Sequence, residues 1–572
     1  MNTNVLYYGD NLEVLRQHIP DDSVDLIYLD PTFNSNRSYN VLFRESSGAA
    51  SEAQIEAFED SWHWADAAAH AYEEVVTGPH QQVANMLEAM VKGLGRNDVT
   101  AYLTMMAVRL VELHRVLKPT GSLYLHCDPT AGPYLRVIMD AVFGPANFRS
   151  EIVWRRTNAH NKLSKQFGPI HDLILYYSRS DNATFHPGRR PYLKEYVQER
   201  FPYQDERGYF QSNVITGAGV RAGDSGKLWH TYNPTQKGRH WALPNKLVAL
   251  LGDKAPGLTI QETLDALDTK GLILHPAAPD GLPRYKQYLD SSEGILHQDI
   301  WGFQPGTRGL LSGTDEGIDE DVKWLDSEDE RLGYPTQKPL ALLERIVSAS
   351  SNPGDIVLDP FCGCGTAVHA AQKLGRRWVG MDITYLAINL IERRMRDAFP
   401  GIAIEEIGAP VDLAGAQALA AHDKYQFQWW ALSKLDAQPV AGKRKGADRG
   451  IDGVIPFFAG PKEDYKRAIV SVKGGEHVGV AMVRDLVGVL EREKEPVGIL
   501  LTLEPPTQPM ITEAASAGFY DSDFWKKAYP RVQILTIEDM LAGKRPDLPT
   551  TRSPFAQAPL EREQSKQGEL LP

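Results

Sequence analysis

The sequence predicts an α/β protein built on a mostly parallel sheet, and three observations carry that prediction. Short apolar runs (NVLYYG, DLIYLD, SLYLHC, EIVW, LILYYS and, much later, DIVLDP and RWVGMD) alternate with helical spacers, as strands joined by crossover helices do. Two of these runs stop abruptly in Asp-Pro, at Asp30-Pro31 and Asp359-Pro360. A carboxylate and a rigid turn therefore stand where a buried strand ends. At 572 residues the chain exceeds what one hydrophobic core organises, so two or three domains are expected.

Residues 51–118 read as helix-rich, and AYLTMMAVRLVELHRVLK keeps its apolar positions near a 3.6 period until Pro119 and Gly121. From about 155 to 332 the periodicity fades. Arg, Tyr, Gly and Pro dominate there, and the run DEGIDEDVKWLDSEDE closes it, which predicts an irregular insertion ending in a solvated acidic loop. Strand and helix patterns resume at 333 and run out after RRMRDAFPGI. Residues 401–420 read as a connector, 421–545 as a further compact unit, and the polar, proline-rich 546–572 as a disordered tail.

With 42% hydrophobic and 24% charged residues, an ordinary soluble fold is expected. No apolar run approaches the roughly 18 residues of a membrane span, and the start lacks a signal-peptide pattern, so a cytoplasmic location is expected. Three cysteines cannot build a disulfide framework, and the C-x-C of Cys362 and Cys364 has no second pair to complete a zinc shell. The net charge of −13 argues against a nucleic-acid partner until its distribution is read. Residues 149–250 hold 16 Lys and Arg against 8 Asp and Glu, a basic contact surface inside an acidic chain.

The segment DIVLDPFCGCGTAVHAAQKLGRRWVGMD, residues 355–382, reads as strand, turn, helix, strand. Glycine in the turn (Phe361 to Gly365) lets backbone pass against a ligand where a Cβ would intrude. Asp382, about 20 positions on, stands at the tip of the next strand, where it can accept hydrogen bonds from ribose hydroxyls. A nucleoside site is predicted. G-x-G-x-x-G is absent; F-x-G-x-G after Asp-Pro instead resembles the S-adenosylmethionine loop of DNA amino-methyltransferases.

Asp30-Pro31-Thr32-Phe33 likewise resembles the D-P-P-[YF] motif of those enzymes, which methylate the exocyclic amine of adenine or cytosine. The resemblance implies that Asp30 and the Pro31 carbonyl accept the two amine protons and that Phe33 stacks on a base extruded from double-stranded DNA. Thr32 departs from the usual second proline and should change loop stiffness. Asp at the first position favours adenine.

The catalytic motif precedes the cofactor loop with the basic segment between, which resembles the β-class order found in adenine-N6 enzymes and type III modification subunits. By that resemblance Asp10, Thr336, Lys338, Asp359, Pro360, Phe361, Gly363, Gly365 and Asp382 border the cofactor. The implied architecture is a Rossmann-like methyltransferase sheet in two halves, 1–154 and 333–405, around a target-recognition insertion at 155–332. Arg155, Arg156 and Arg239 are its first candidates for DNA contact.

In the last unit GADRGIDG, followed by a strand carrying a lysine, resembles Mrr-type restriction endonucleases. Asp452 and Lys473 match the Mg²⁺-holding acid and the water-positioning lysine. Two positions depart from that pattern: Ser471 stands where Glu, Asp or Gln is usual, and Gln428 where an acidic residue often sits, so metal affinity should fall. The expected activity is site-specific methyl transfer to a flipped base, adenine N6 first. Open alternatives are a bifunctional enzyme that also cleaves DNA, a cytosine-N4 or RNA acceptor, and a silent binding protein. A homodimer and a separate restriction or helicase subunit also stay open.

Overall fold

In the computed structural model, which describes residues 2–31, 37–44, 50–60, 64, 66–157, 167–190, 194–252, 256–289, 295–302, 322, 325, 330–332, 334, 336–440, 450–460, 465–475, 477–551 and 558–561, nine strands form the main sheet. They are β1 (Val5–Tyr8), β2 (Val24–Leu29), β3 (Leu117–Cys127), β4 (Phe148–Arg155), β5 (His171–Ser178), β6 (Ile300–Trp301), β7 (Ile356–Asp359), β8 (Arg377–Asp382) and β9 (Glu405–Ile407). Their order across the sheet is β6-β4-β5-β3-β2-β7-β8-β1-β9. Every neighbouring pair runs parallel except those of β5, which is antiparallel to β3 and β4.

Strand alternation divides the apolar side chains between two cores. Val5, Tyr7, Ile27 and Leu29 pack under α1 (Asn11–His18), α2 (Asp98–Val116) and the helices Asp66–Thr77, Gln81–Leu94 and Gly132–Phe143. Leu6, Leu26 and Tyr28 face the opposite layer, made by α3 (Leu340–Ser350), α4 (Thr366–Lys373) and α5 (Tyr385–Ala398). Asn97 starts α2 by exchanging hydrogen bonds with Thr100, which satisfies two otherwise orphaned donors.

The important consequence lies at one edge. Parallel strands β2, β7, β8 and β1 are adjacent, so their carboxyl ends bring Asp30, Asp359, Asp382 and Asp10 to one rim, although as many as 372 positions separate them in the chain.

A second unit, residues 187–298, carries a four-stranded antiparallel sheet and its own core of Phe210, Ile215, Trp229, Trp241, Leu247 and Leu264. It is narrower than the predicted insertion. The stretch His171–Ser178 is a buried strand hydrogen-bonded to both β3 and β4, so the chain leaves the main sheet later than its composition suggested.

The third sheet comprises β10 (Gln438–Pro439), β11 (Gly453–Phe458), β12 (Tyr465–Lys473), β13 (Val497–Thr502) and β14 (Val532–Thr536), in that order. The first three are antiparallel and the rest parallel. Its faces are covered by α6 (Lys424–Lys434) with Ile537–Leu541, and by α7 (Val480–Glu493) with Gln508–Ser516.

Three local expectations need correction. Within the helix-rich stretch, Ala50–Asp60 is a strand paired with Arg37–Arg44. The connector 401–420 supplies the edge strand β9 and the helix Leu413–His422. The tail is docked in two places: Thr550 O accepts from Phe458 N–H, and Glu561 N–H donates to Ala398 O. Backbone partners and the burial of Ala558 hold these pieces despite their polar composition. Most of the acidic run lies outside the described residues. Among the described residues no helix is long and apolar enough to cross a membrane.

Candidate active site

The rim of carboxylates opens onto a cavity of about 360 Å³. Gly9, Asp10, Asn11, Asp359, Pro360, Phe361, Cys362, Gly363, Asp382, Ile383 and Thr384 line it, together with Tyr28, Asp30, Pro31, Trp154, Arg156, Asp172, Thr336 and Lys338. Eight of the nine sequence-predicted cofactor residues therefore meet at the cavity. Gly365 lies just behind, as the residue that opens α4. Asp30 and Pro31 face the same space, and the Lys338 ammonium is paired with the Asp30 carboxylate. Thr32 and Phe33 lie outside the described residues.

The glycine turn has the local reasons expected of it. Gly363 and Gly365 have φ of 52° and 74°, where L side chains are strained. A Cβ on Gly365 would also stand 2.9 Å from both γ-carbons of buried Ile391. The turn is then tied to its neighbours. Asp382 accepts from Gly363 N–H at 2.9 Å and from the N–H and hydroxyl of Thr384 at 2.8 Å each, while Phe361 N–H donates to Asp359 at 3.0 Å.

Burial pushes the Asp359 carboxyl up to about 8, and the charges of Asp30 and Asp382 add to the shift against the Phe361 hydrogen bond. Asp382 is also raised by burial, with its backbone and hydroxyl donors opposing. Burial likewise raises the Cys362 and Cys364 thiols, so neither is a ready nucleophile.

Asp359 has a testable cost. Its folded-state value lies above the unfolded one, so its contribution to stability is complete below about pH 4 and is lost as pH rises through about 8. Asp359→Asn, which keeps the acceptor for Phe361, is expected to be more stable than the parent at pH 8–9, by on the order of a few kcal/mol, and to unfold at a higher temperature there. The gap should close toward pH 4 in calorimetric scans; a pH-independent gap contradicts the assignment.

Several residues of the cavity were not singled out in the sequence. Asn11 donates to Pro360 O at 2.8 Å and accepts from Arg109 Nε at 2.6 Å, while Arg109 NH2 lies 2.9 Å from Asp10. The signal for Arg109 was available: one guanidinium in the apolar stretch MMAVRLVEL. Ile383, 61% exposed beside Asp382, is an apolar side chain left on the cavity wall. Tyr28, Trp154 and Asp172 had no signal, because they read as ordinary strand residues.

The DNA-contact candidates separate. Arg156 reaches the cavity wall and lies 3.2 Å from Asp172. Arg155 ends β4, half-buried. Arg239 is spent within the second unit, bonding the hydroxyl and carbonyl of Thr216 at 2.8 and 2.9 Å.

The profile of the N6/N4 methyltransferase family, described as DNA methylase, matches residues 24–393, which include Asp30, Asp359 and Asp382 of the rim, while Asp10 precedes the match. The chain belongs to this family. It is 30% identical over 395 residues to the type II methyltransferase M.EcaI of Enterobacter cloacae, covering 68% of this chain and 69% of that one. It is 25% identical to the Mod subunit of the StyLTI type III restriction-modification enzyme of Salmonella typhimurium, covering 65% and 50% of the two chains. With the DNA adenine methyltransferase YhdJ of Escherichia coli it shares 23% identity over 68% of this chain and 82% of the relative. This protein is a site-specific DNA methyltransferase.

The family match ends at residue 393, before the third sheet. There Asp452 and Lys473 come within 3.8 Å of each other. Asp452 also accepts from Gln428 Nε2 at 3.1 Å, Ser471 Oγ at 3.2 Å and Val472 N–H at 2.6 Å.

Proposed function

We propose that this methyltransferase transfers the methyl group of S-adenosylmethionine to N6 of an adenine extruded from double-stranded DNA. The observation that carries the reading is the meeting of Asp30 with the Phe361–Gly365 turn at one cavity. The residues fit the cofactor. The turn carries no side chain at Gly363, where a Cβ would meet the Tyr334 ring at 3.0 Å, Asp10 and Asp382 offer carboxylates to hydroxyl and amino groups, and Ile383 offers an apolar flank to a flat ring. When bound, S-adenosylmethionine supplies an electrophilic methyl on a sulfonium.

The chain's own groups do the rest. An exocyclic amine is a weak nucleophile because its lone pair is delocalised into the ring. Asp30 and the Pro31 carbonyl accept its two protons, which favours a pyramidal nitrogen, and the Asp30 charge stabilises the positive charge that grows there. Lys338 holds the carboxylate in place through its ion pair. Phe33 supplies the ring on which the extruded base stacks, offsetting part of the cost of leaving the duplex. The adenine assignment is supported by Asp at the first motif position and by the adenine-specific relative; digesting methylated DNA to nucleosides tests it, and N4-methylcytosine as the product would overturn it. The Mod-subunit relative supports a separate restriction subunit as a partner.

The third sheet supports a restriction-endonuclease-like fold that does not cleave. Asp452 directs its oxygens at protein donors, and no group of three His, Cys, Asp or Glu is placed to hold a metal among the described residues. The described residues do not form a Mg²⁺ site. Incubation of the full chain with DNA and Mg²⁺ is expected to leave the DNA intact; cutting that Asp452→Ala removes would reverse this reading.

A further inference from the structure

Beneath the tip of β2, polar side chains cross a layer that is otherwise apolar. Tyr28 stands two residues before Asp30, hence on the same face of the strand, and lines the cavity while 3% exposed. Its hydroxyl is 2.9 Å from Nδ1 of His126 on β3, a residue with no exposed surface. His126 Nε2 is 3.1 Å from Asp172 Oδ2 on β5. The other Asp172 oxygen faces Arg156 Nε at 3.2 Å, an ion pair without hydrogen-bond geometry. The Trp154 ring meets His126 edge-on at 5.6 Å and fixes its plane.

Burying a histidine and a carboxylate is costly, and the sheet does not require it. Leu26, Tyr124 and Ile174 on the same three strands fill this layer without charge. The arrangement has the order of an acid–imidazole–hydroxyl triad, carried by a tyrosine that lines the cavity.

Methyl transfer to an amine leaves a proton to dispose of. The N–C bond forms as the sulfonium C–S bond breaks with its electron pair kept on sulfur, and the nitrogen then carries one proton too many. We propose that Tyr28, His126 and Asp172 form the relay that removes it. Once the N–C bond has formed, Asp30 takes the proton it was holding and passes it to the Tyr28 oxygen, which hands its own to His126 Nδ1, and the imidazolium rests against Asp172. When the product leaves, water entering the cavity recovers the proton by the reverse shift, which restores every group.

The electrostatics support the direction of travel. Against burial, the His126 hydrogen bond and the charges of Lys338 and Arg156 hold Asp172 below the usual carboxylate range, so it stays ionised and keeps the Nε2–H tautomer. Burial raises Tyr28 well above the usual phenol value, so it passes a proton and does not remain charged.

Tyr28→Phe removes a single oxygen and is the decisive variant. Single-turnover methyl transfer is expected to slow by about ten-fold or more, with cofactor and DNA binding changed less than about two-fold and the solvent deuterium isotope effect reduced toward unity. Asp172→Asn and His126→Gln should lose the isotope effect too; should His126→Gln fail to fold, the other two carry the test. A Tyr28→Phe rate within about two-fold of the parent, or a slowed rate that keeps the full isotope effect, overturns the relay. The inference rests on Asp30 facing the acceptor amine, so Asp30→Ala is assayed alongside. Retained transfer there sinks that parent reading, whereas a dead Asp30→Ala with an unimpaired Tyr28→Phe sinks the relay alone.

Discussion

Asp30→Ala is expected to slow single-turnover methyl transfer by about a thousand-fold or more while cofactor binding stays within several-fold of the parent. Two effects add in the same direction. The substitution removes the acceptor that aligns the amine and the negative charge that balances the positive charge growing on nitrogen. It also strips Lys338 of its partner: the ammonium, with a side chain only 11% exposed, would then face the reacting nitrogen as an unbalanced like charge. Asp30→Asn keeps an oxygen acceptor without the charge, so its loss should be smaller. Rates from radiolabelled methyl transfer and affinities from calorimetry separate the two quantities. A transfer rate within ten-fold of the parent in Asp30→Ala would remove Asp30 from the chemistry.

How much of this was legible in the sequence follows from what kind of signal each residue leaves. Asp30, Asp359 and Asp382 were readable because each ends an apolar run, and a charged residue at such a boundary must sit at a strand end. In a parallel sheet those ends share a rim, so the convergence followed from topology alone. The glycines were readable because backbone at φ of 52° and 74° leaves few other residues. The Asp30–Lys338 ion pair was not readable. Nothing in TQKP says that its lysine reaches across to a strand end 308 positions away. The buried line of Tyr28, His126 and Asp172 was hidden for a related reason: alternation places a polar residue on a strand, but which neighbour it meets depends on strand order. The insertion boundary failed differently. The composition of residues 155–186 is basic and irregular, yet His171–Ser178 carries a continuous apolar run that pairs into the sheet, and the run should have outweighed the composition.

Arg109→Met should show that the cofactor side of the cavity is held from behind. Arg109 stands in the middle of α2, 4% exposed, and its guanidinium is paired with Asp10 and bonded to the Asn11 amide oxygen and Met105 O. Burial lowers its basicity and the Asp10 charge opposes that. Asn11 in turn donates to Pro360 O, so one chain of contacts runs from helix α2 through the β1 loop to the cofactor turn. Methionine fills the space but satisfies none of these acceptors. Leaving Asp10 and buried Asn11 Oδ1 without their donor should cost about 3 kcal/mol or more, read as a drop of several degrees in the apparent Tm. The same slackening should weaken S-adenosylmethionine binding by about ten-fold, because a loop free to shift by an ångström no longer presents Pro360 and Phe361 in one geometry. Asn11→Ala breaks the next link, so in a double-mutant cycle the two substitutions should cost less together than the sum of their separate effects on affinity. Strict additivity would mean that Arg109 supports the helix and not the turn.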